Sequence, residues 1–226
     1  MLLLLLLTWV LPSVRLAASL ECFLCVNATY AACKENGIFV NCSSSELCIS
    51  YYEKAFIGGK STTLFFMMCG TCDMFKPTSV RFHKGTVKSN STCCNTNRCT
   101  PSEPKIAVDG PVLKNENNNK KNVTCKSCYS SAKSCDCNIF MNCSGEEEKC
   151  IHRNTIVGGN HSYLMSVRGC TTDETCHACN RDIDNIKGFL LTSKYTCTGN
   201  SNFLLPTPLL LFLSAILLSF FRPVMS

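Results

Sequence analysis

The sequence predicts a small, disulfide-rich all-β protein built from two tandem units, and three observations carry that prediction. Cysteine supplies 20 of the 226 residues, a density that marks a disulfide scaffold rather than an ordinary hydrophobic domain. The cysteines fall into two sets that align at an almost constant offset. Within each set, one cysteine-bounded segment carries Gly-Gly between β-prone runs, the pattern of a β-hairpin.

The elements follow in chain order. Met1 to Val14 is almost wholly apolar, with leucine at every position from Leu2 to Leu7, and Ala17-Ala18-Ser19 precedes Leu20-Glu21-Cys22. An apolar core ahead of a small-residue site predicts a secretory signal over residues 1–19, cut after Ser19, although the usual positive start is missing. An uncleaved anchor is the alternative, and the apolar core is short against the roughly 20 residues of a spanning helix. Behind a secretory signal the compartment is oxidising, so the cysteines are expected as disulfides.

The first set is Cys22, Cys25, Cys33, Cys42, Cys48, Cys69, Cys72, Cys93, Cys94 and Cys99. The second is Cys125, Cys128, Cys135, Cys137, Cys143, Cys150, Cys170, Cys176, Cys179 and Cys197. Eight members match, from Cys22 with Cys125 to Cys93 with Cys197, at offsets of 101 to 104. That regularity identifies two related units, over residues 20–100 and 123–199.

Cys48 to Cys69 encloses Gly58-Gly59, and Cys150 to Cys170 encloses Gly158-Gly159. Each hairpin begins and ends at a cysteine, so a stapled base and a free tip are expected. Pro101 to Asn122 is rich in Pro, Asn and Lys and reads as an exposed linker. Units of about 75–80 residues are marginal for a hydrophobic core. Disulfides worth about 2–4 kcal/mol each are therefore expected to be the main source of stability.

After Cys197 come the small or polar residues Thr198 to Asn202, then Phe203 to Pro208, then an apolar run from Leu209 to Phe221. A small-residue site, a short spacer and an apolar tail predict a GPI-anchor signal over 200–226, with attachment at Gly199 or Asn200. A transmembrane helix is the alternative. Its run of 13 residues falls short of the roughly 20 needed, and no basic stop-transfer cluster follows.

Removal of both ends takes away Arg15 and Arg222 and lowers the formal charge from +6 to +4. That is too mild to indicate nucleic acid as a partner. Six Asn-x-Ser/Thr sequons lie between the ends, at Asn27, Asn41, Asn90, Asn122, Asn142 and Asn160, and predict a glycosylated ectodomain. Asn41 and Asn142 rank lowest, because their middle residue is a cysteine that must enter a disulfide.

Leu20-Glu21-Cys22-Phe23-Leu24-Cys25 opens the first unit and Cys93-Cys94 with Cys99 closes it. This resembles the lymphocyte-antigen-six/urokinase-receptor superfamily, whose domains open with Cys-x-x-Cys and close with Cys-Cys-x4-Cys-Asn. The resemblance implies two tandem three-finger domains, each a disulfide hub with three β-hairpin loops. In the first unit it implies the pairs Cys22–Cys48, Cys25–Cys33, Cys42–Cys69, Cys72–Cys93 and Cys94–Cys99. In the second it implies Cys125–Cys150, Cys128–Cys135, Cys143–Cys170 and Cys176–Cys197. There are departures: Thr100 replaces the family asparagine, and the second unit lacks the closing motif. Cys137 and Cys179 are left unmatched; an extra bridge between them is the simplest account, with free thiols or a Cys179–Cys197 pair as alternatives. The layout also resembles the gamma-type phospholipase A2 inhibitors.

Four Cys-x-x-Cys pairs occur, at Cys22/Cys25, Cys69/Cys72, Cys125/Cys128 and Cys176/Cys179. In a reducing compartment they would suggest zinc; here disulfides are expected and no cofactor is called for. His83, His152, His161 and His177 are dispersed, and no nucleophile–base or paired-carboxylate arrangement has supporting context. A binding protein is expected, not an enzyme. Lys76, Arg81, His83, Lys84 and Lys88, with Phe75 and Phe82 between them, make the third finger basic, while Glu146-Glu147-Glu148 is acidic. Solvated loops are the plain reading of both; docking of the two units on each other is the sharper one. Tyr51, Tyr52, Phe56, Phe65 and Phe66 dominate the second finger, where an exposed aromatic would suit a partner.

The function expected is that of a GPI-anchored, N-glycosylated surface protein that binds an extracellular protein or a cell-surface or microbial ligand. A secreted phospholipase A2 inhibitor and a glycosylated coat without a tight ligand are the alternatives.

Overall fold

The computed structural model describes residues 19–106, 120–136, 138–158, 163–178 and 190–199. The expected signal and anchor segments, Cys137, Cys179, Asn160, His161 and Asn200 lie outside the described residues. The first unit contains β1 (Glu21–Asn27), α1 (Tyr30–Asn36), β2 (Ile38–Asn41), β3 (Leu47–Ile57), β4 (Lys60–Gly70), β5 (Thr78–Phe82) and β6 (Gly85–Cys94). The second contains β7 (Lys120–Lys126), β8 (Cys128–Ser130), β9 (Phe140–Ser144), β10 (Lys149–Val157), β11 (Tyr163–Thr171), α2 (Asp173–Ala178) and β12 (Leu191–Thr198).

Local chemistry accounts for the elements. Thr29 caps α1, its hydroxyl accepting from the Ala32 amide at 3.2 Å, which satisfies one of the donors every helix start leaves open. The Cys25–Cys33 disulfide pins that helix to β1. The β3–β4 hairpin closes with Ile57 opposite Lys60. Gly58 and Gly59 there have φ of 55° and 85°, as a two-residue turn of the primed type requires. The corresponding turn of the second unit is wider, since Val157 pairs with Tyr163.

Nine disulfides join the described cysteines. They are Cys22–Cys48, Cys25–Cys33, Cys42–Cys69, Cys72–Cys93 and Cys94–Cys99 in the first unit. In the second they are Cys125–Cys150, Cys128–Cys135, Cys143–Cys170 and Cys176–Cys197. Thr100, in the place of the family asparagine, is exposed. The closing loop is tied to β1 from another position: Asn97 Oδ1 accepts from the Glu21 amide at 2.8 Å, and the Arg98 amide donates to the Glu21 carbonyl at 2.9 Å.

The fingers do not project separately. Ten strands form one sheet, ordered β12-β10-β11-β5-β6-β3-β4-β1-β2, with β8 added beside β11; β7 and β9 make a separate pair. β3 pairs with β6 from Cys48 opposite Cys94 to Ile57 opposite Gly85. The Gly58 amide donates to the Lys84 carbonyl at 3.0 Å. The tip expected to be free is therefore bonded to the third finger.

The units meet where β5 joins β11, at Arg81 opposite Cys170, and they share their core. Ile49, Tyr51, Leu64, Phe66, Met68 and Phe75 pack with Val157 and Leu191 of the second unit. Ala55, Val80, Phe82 and Val87 pack with Ile151, Met165 and Val167. This changes the stability argument, because each inner face has another sheet face to bury it. It also accounts for the aromatics: Tyr51, Phe65 and Phe66 are buried, and only Tyr52 and Phe56 are half-buried.

The segment read as an exposed linker begins as a packed one. Pro101 and Pro104 are buried. Ser50 and Thr92 hydroxyls both donate to the Ser102 carbonyl, and Asn90 Nδ2 donates to the Lys105 carbonyl at 2.9 Å. Prolines lack the amide a ladder would need, so side-chain donors hold this stretch instead. At its other end, β7 starts at Lys120.

Candidate binding surface

Side chains alternate across a strand, so β10 and β11 each present one row inward and one outward. The inward row contains a charged residue in each unit. Glu53 of β3 and Arg153 of β10 have side chains only 1% and 2% exposed, and Arg153 Nη2 lies 2.6 Å from Glu53 Oε2. Tyr51 donates to Glu53 Oε2 at 2.6 Å and Tyr163 to Oε1 at 2.9 Å. Arg153 Nη2 also donates to the Tyr51 hydroxyl at 2.7 Å, and its Nε to Thr155 Oγ1 at 3.1 Å. Its guanidinium stands over the Tyr195 ring at 5.3 Å.

Burial raises the Tyr51 hydroxyl well above the ordinary phenol value, against the lowering influence of Arg153. Burial first, then the Glu53 carboxylate, push Tyr163 far up. Both phenols stay protonated and keep donating. The carboxylate is thus held by three donors, Tyr51 from its own strand and Tyr163 and Arg153 from across the unit boundary, which makes it a structural lock. Sequence reasoning missed this pair. Its signal was strand parity: Glu53 shares the apolar row of Tyr51 and Ala55, and Arg153 that of Ile151 and Val157.

The outward row of the second unit is exposed at Lys194 and Thr196, half-buried at His152, Asn154 and Arg168, and buried at Ser166. Arg168 of β11 stands opposite His152 of β10, which stands opposite Thr196 of β12. Two steps along the strands, on the same face, Ser166, Asn154 and Lys194 are opposite one another, and Ser130 of β8 extends that row. Ser166 Oγ donates to Asn154 Oδ1 at 2.6 Å and lies 3.4 Å from His152 Nε2. Burial, then the Arg168 charge, lower the His152 pKa, against the raising effect of a hydrogen bond the imidazole makes to Asn154. Arg168 Nε is buried and makes no hydrogen bond among the described residues. β8, β10, β11 and β12 contain no Asp or Glu. Arg153 finds its carboxylate in the other unit, and Lys149 pairs with Asp173 of α2 at 3.2 Å. Arg168 and Lys194 have no carboxylate partner among the described residues. Two cations with no carboxylate partner among the described residues and an imidazole therefore share one polar face, suited to an acidic partner.

The two charged stretches divide. Arg81 Nε donates to both Glu147 oxygens, at 2.8 and 2.9 Å, and its Nη2 to the Asn142 carbonyl and Ser144 Oγ at 3.1 Å each. That is the docking contact, joined by the His83 amide on Ser127 Oγ at 2.6 Å and by Thr171 Oγ1 on the Ser79 carbonyl at 2.7 Å. Lys76, His83, Lys84, Glu146 and Glu148 lie toward solvent, whereas Phe75 and Phe82 are buried. Lys88 is half-buried, and burial lowers its pKa. His177 lies 3.2 Å from Asp173 on the short helix α2.

Three groups of cysteines bring their sulfurs within 4.8 Å of one another: Cys22/Cys42/Cys69, Cys48/Cys94/Cys99 and Cys125/Cys143/Cys170. Each of these sulfurs is in a disulfide, and a metal would need thiolates. Five sequons are described. Asn41, Asn122 and Asn142 are exposed, while Asn27 and Asn90 are half-buried.

The disulfide order, the paired fingers and the duplicated unit agree with a domain model for the u-PAR/Ly-6 domain, which matches residues 18–102 and 121–203. The chain belongs to the u-PAR/Ly-6 family. This member carries two such domains in tandem. It is similar to a gamma-type phospholipase A2 inhibitor of Laticauda semifasciata, at 27% identity over 165 residues, 70% of this chain and 84% of that protein. Among solved structures it is similar to the crystal structure of mouse TEX101, at 21% identity and a TM-score of 0.36, over 71% of this chain and 85% of that one. Among the described residues no helix is long and apolar enough to cross a membrane.

Proposed function

We propose that this u-PAR/Ly-6 protein is an N-glycosylated, GPI-anchored surface protein that binds an acidic extracellular protein through the outer face of its second unit. The observation that carries the reading is the acid-free sheet of β8, β10, β11 and β12, with Arg168, Lys194 and His152 on its outer row. The face works by binding and carries no catalytic step. Gly199 follows β12 directly, two residues after the Cys176–Cys197 disulfide. An anchor there would hold the fold close to the bilayer and raise its effective concentration for partners on the same surface.

Two measurements test this on the full chain displayed by cells. Phosphatidylinositol-specific phospholipase C is expected to release it; retention on the cells would remove the anchor. Covalent capture of surface partners is expected to enrich a saturable protein ligand. Arg168→Glu with Lys194→Glu should weaken that binding at least tenfold and flatten its salt dependence. Equal binding by that variant would overturn the assignment of the face, and no saturable ligand would favour a glycosylated coat. A second reading rests on the Laticauda relative: the protein masks a secreted phospholipase A2, in which case that enzyme is the captured ligand and loses activity on binding.

A further inference from the structure

One short stretch recurs in both units with five of its six residues identical and with the same exposure. Ile38-Phe39-Val40-Asn41-Cys42-Ser43 in the first unit corresponds to Ile139-Phe140-Met141-Asn142-Cys143-Ser144 in the second. In each, the phenylalanine and the asparagine are exposed, the residue between them is half-buried, and the cysteine is buried. Large apolar side chains left in water need a reason, and among the described residues these two Ile-Phe pairs make up four of the five most exposed.

Strand geometry supplies one. Residues two apart on a strand point to the same face, about 7 Å apart. Phe140 and Asn142 both lie in β9, so the ring stands beside the asparagine side chain. Thr124 of β7 is opposite Asn142, and its hydroxyl donates to Asn142 Oδ1 at 2.9 Å. That bond fixes the amide by its oxygen, leaving Nδ2, the atom that carries an N-linked sugar. Phe140 is 59% exposed, and no other ring or cation of the described residues stacks on it.

We infer that Phe140 is a platform for the first sugar of an N-linked glycan on Asn142, whose ring C–H groups lie on the phenyl face. An aromatic face is negatively polarised and attracts such positively polarised edges, and covering it removes apolar area from water. The occupant is a covalently attached N-acetylhexosamine rather than a free partner, since the sequon and the ring share one strand face. In the first unit the Arg98 guanidinium already lies over the Phe39 ring at 5.2 Å, so the inference is confined to Asn142.

The cysteine inside the sequon does not stand in the way. Its partner Cys170 lies 27 residues further on. A chain modified as it emerges from its N-terminus presents Asn142 before that partner is available. The low rank the sequence alone assigns to this sequon reverses once strand face and chain order are considered.

The inference rests on the proposed N-glycosylation, and the test separates the two. Glycopeptide mass spectrometry of the full chain from secretory cells reads occupancy at all six sequons, and thermal unfolding is compared for wild type, Asn142→Gln, Phe140→Ala and the double variant. Asn142 is expected to be occupied. Loss of its glycan is expected to lower Tm by about 2–4 °C when Phe140 is present and to have little effect in the Phe140→Ala background. Trimming the glycan to its first sugar should keep the stabilisation. An equal Tm drop in both backgrounds overturns the platform. A bare Asn142 with glycans on other sequons overturns it while leaving the glycosylation reading intact. No glycan at any sequon removes both. Phe140 is exposed, so its truncation spares the core.

Discussion

Arg153 and Glu53 show how one pair of side chains sets the relation between two units. Each is the wrong kind of residue for an apolar strand row, and each is tolerated because the other unit supplies its counter-charge. Removing one partner of a buried ion pair costs about 3–5 kcal/mol, because the remaining charge is stranded. Glu53→Gln is therefore expected to destabilise the protein by roughly that amount in guanidinium unfolding, followed by circular dichroism with disulfides intact. Adding Arg153→Met should relieve part of the loss, since no charge is then left in the core. If the second change only adds to the first, the two side chains do not act as a pair.

At the scale of elements, much was legible in the sequence and the rest was not, for identifiable reasons. Gly58-Gly59 announced its turn because only glycine takes both positive φ values without strain. The cysteine spacing announced the duplication. What remained hidden were contacts between elements far apart in sequence. Nothing local to Lys84 or Gly58 says that the third finger pairs with the second along its whole length. Nothing in Pro101 to Lys105 says that Ser50, Thr92 and Asn90 hold it down. The outer face of the second unit was half legible. Its lack of acidic residues can be read from the chain, but the register that brings Arg168, His152 and Lys194 together cannot. The β5–β11 junction has its own sensitive point in Gly169. A Cβ there would come 1.9 Å from the Arg81 carbonyl oxygen, a backbone atom that cannot step aside. Gly169→Ala is expected to part these strands, exposing the Arg81–Glu147 contact. Amide hydrogen exchange should then rise in β5 and β11 and stay unchanged in β1 and β4. Unaltered protection of β5 would mean that the sheet is not continuous there.

At the scale of the whole molecule, the shared core reassigns the source of stability. The sequence argued for two small stapled modules, and staples are present. Yet Ile49, Tyr51, Phe66 and Met68 of one unit meet Val157 and Leu191 of the other. Neither unit alone can bury those residues. Expressed singly with its disulfides formed, the first unit should expose an apolar face and bind a hydrophobic dye or self-associate. The two-unit chain should do neither. A monomeric, dye-silent first unit would show that its inner face finds cover without its partner.

The pairing of inner faces also sets what a further unit could pack against in such a chain. In a repeat array built like a stack, every unit has two sides to offer, and another copy can always be added at the end. Here each unit has a single inner face, and the partner consumes it. A third copy appended to this chain would find that inner face already occupied, and would have to dock elsewhere or bring its own complement.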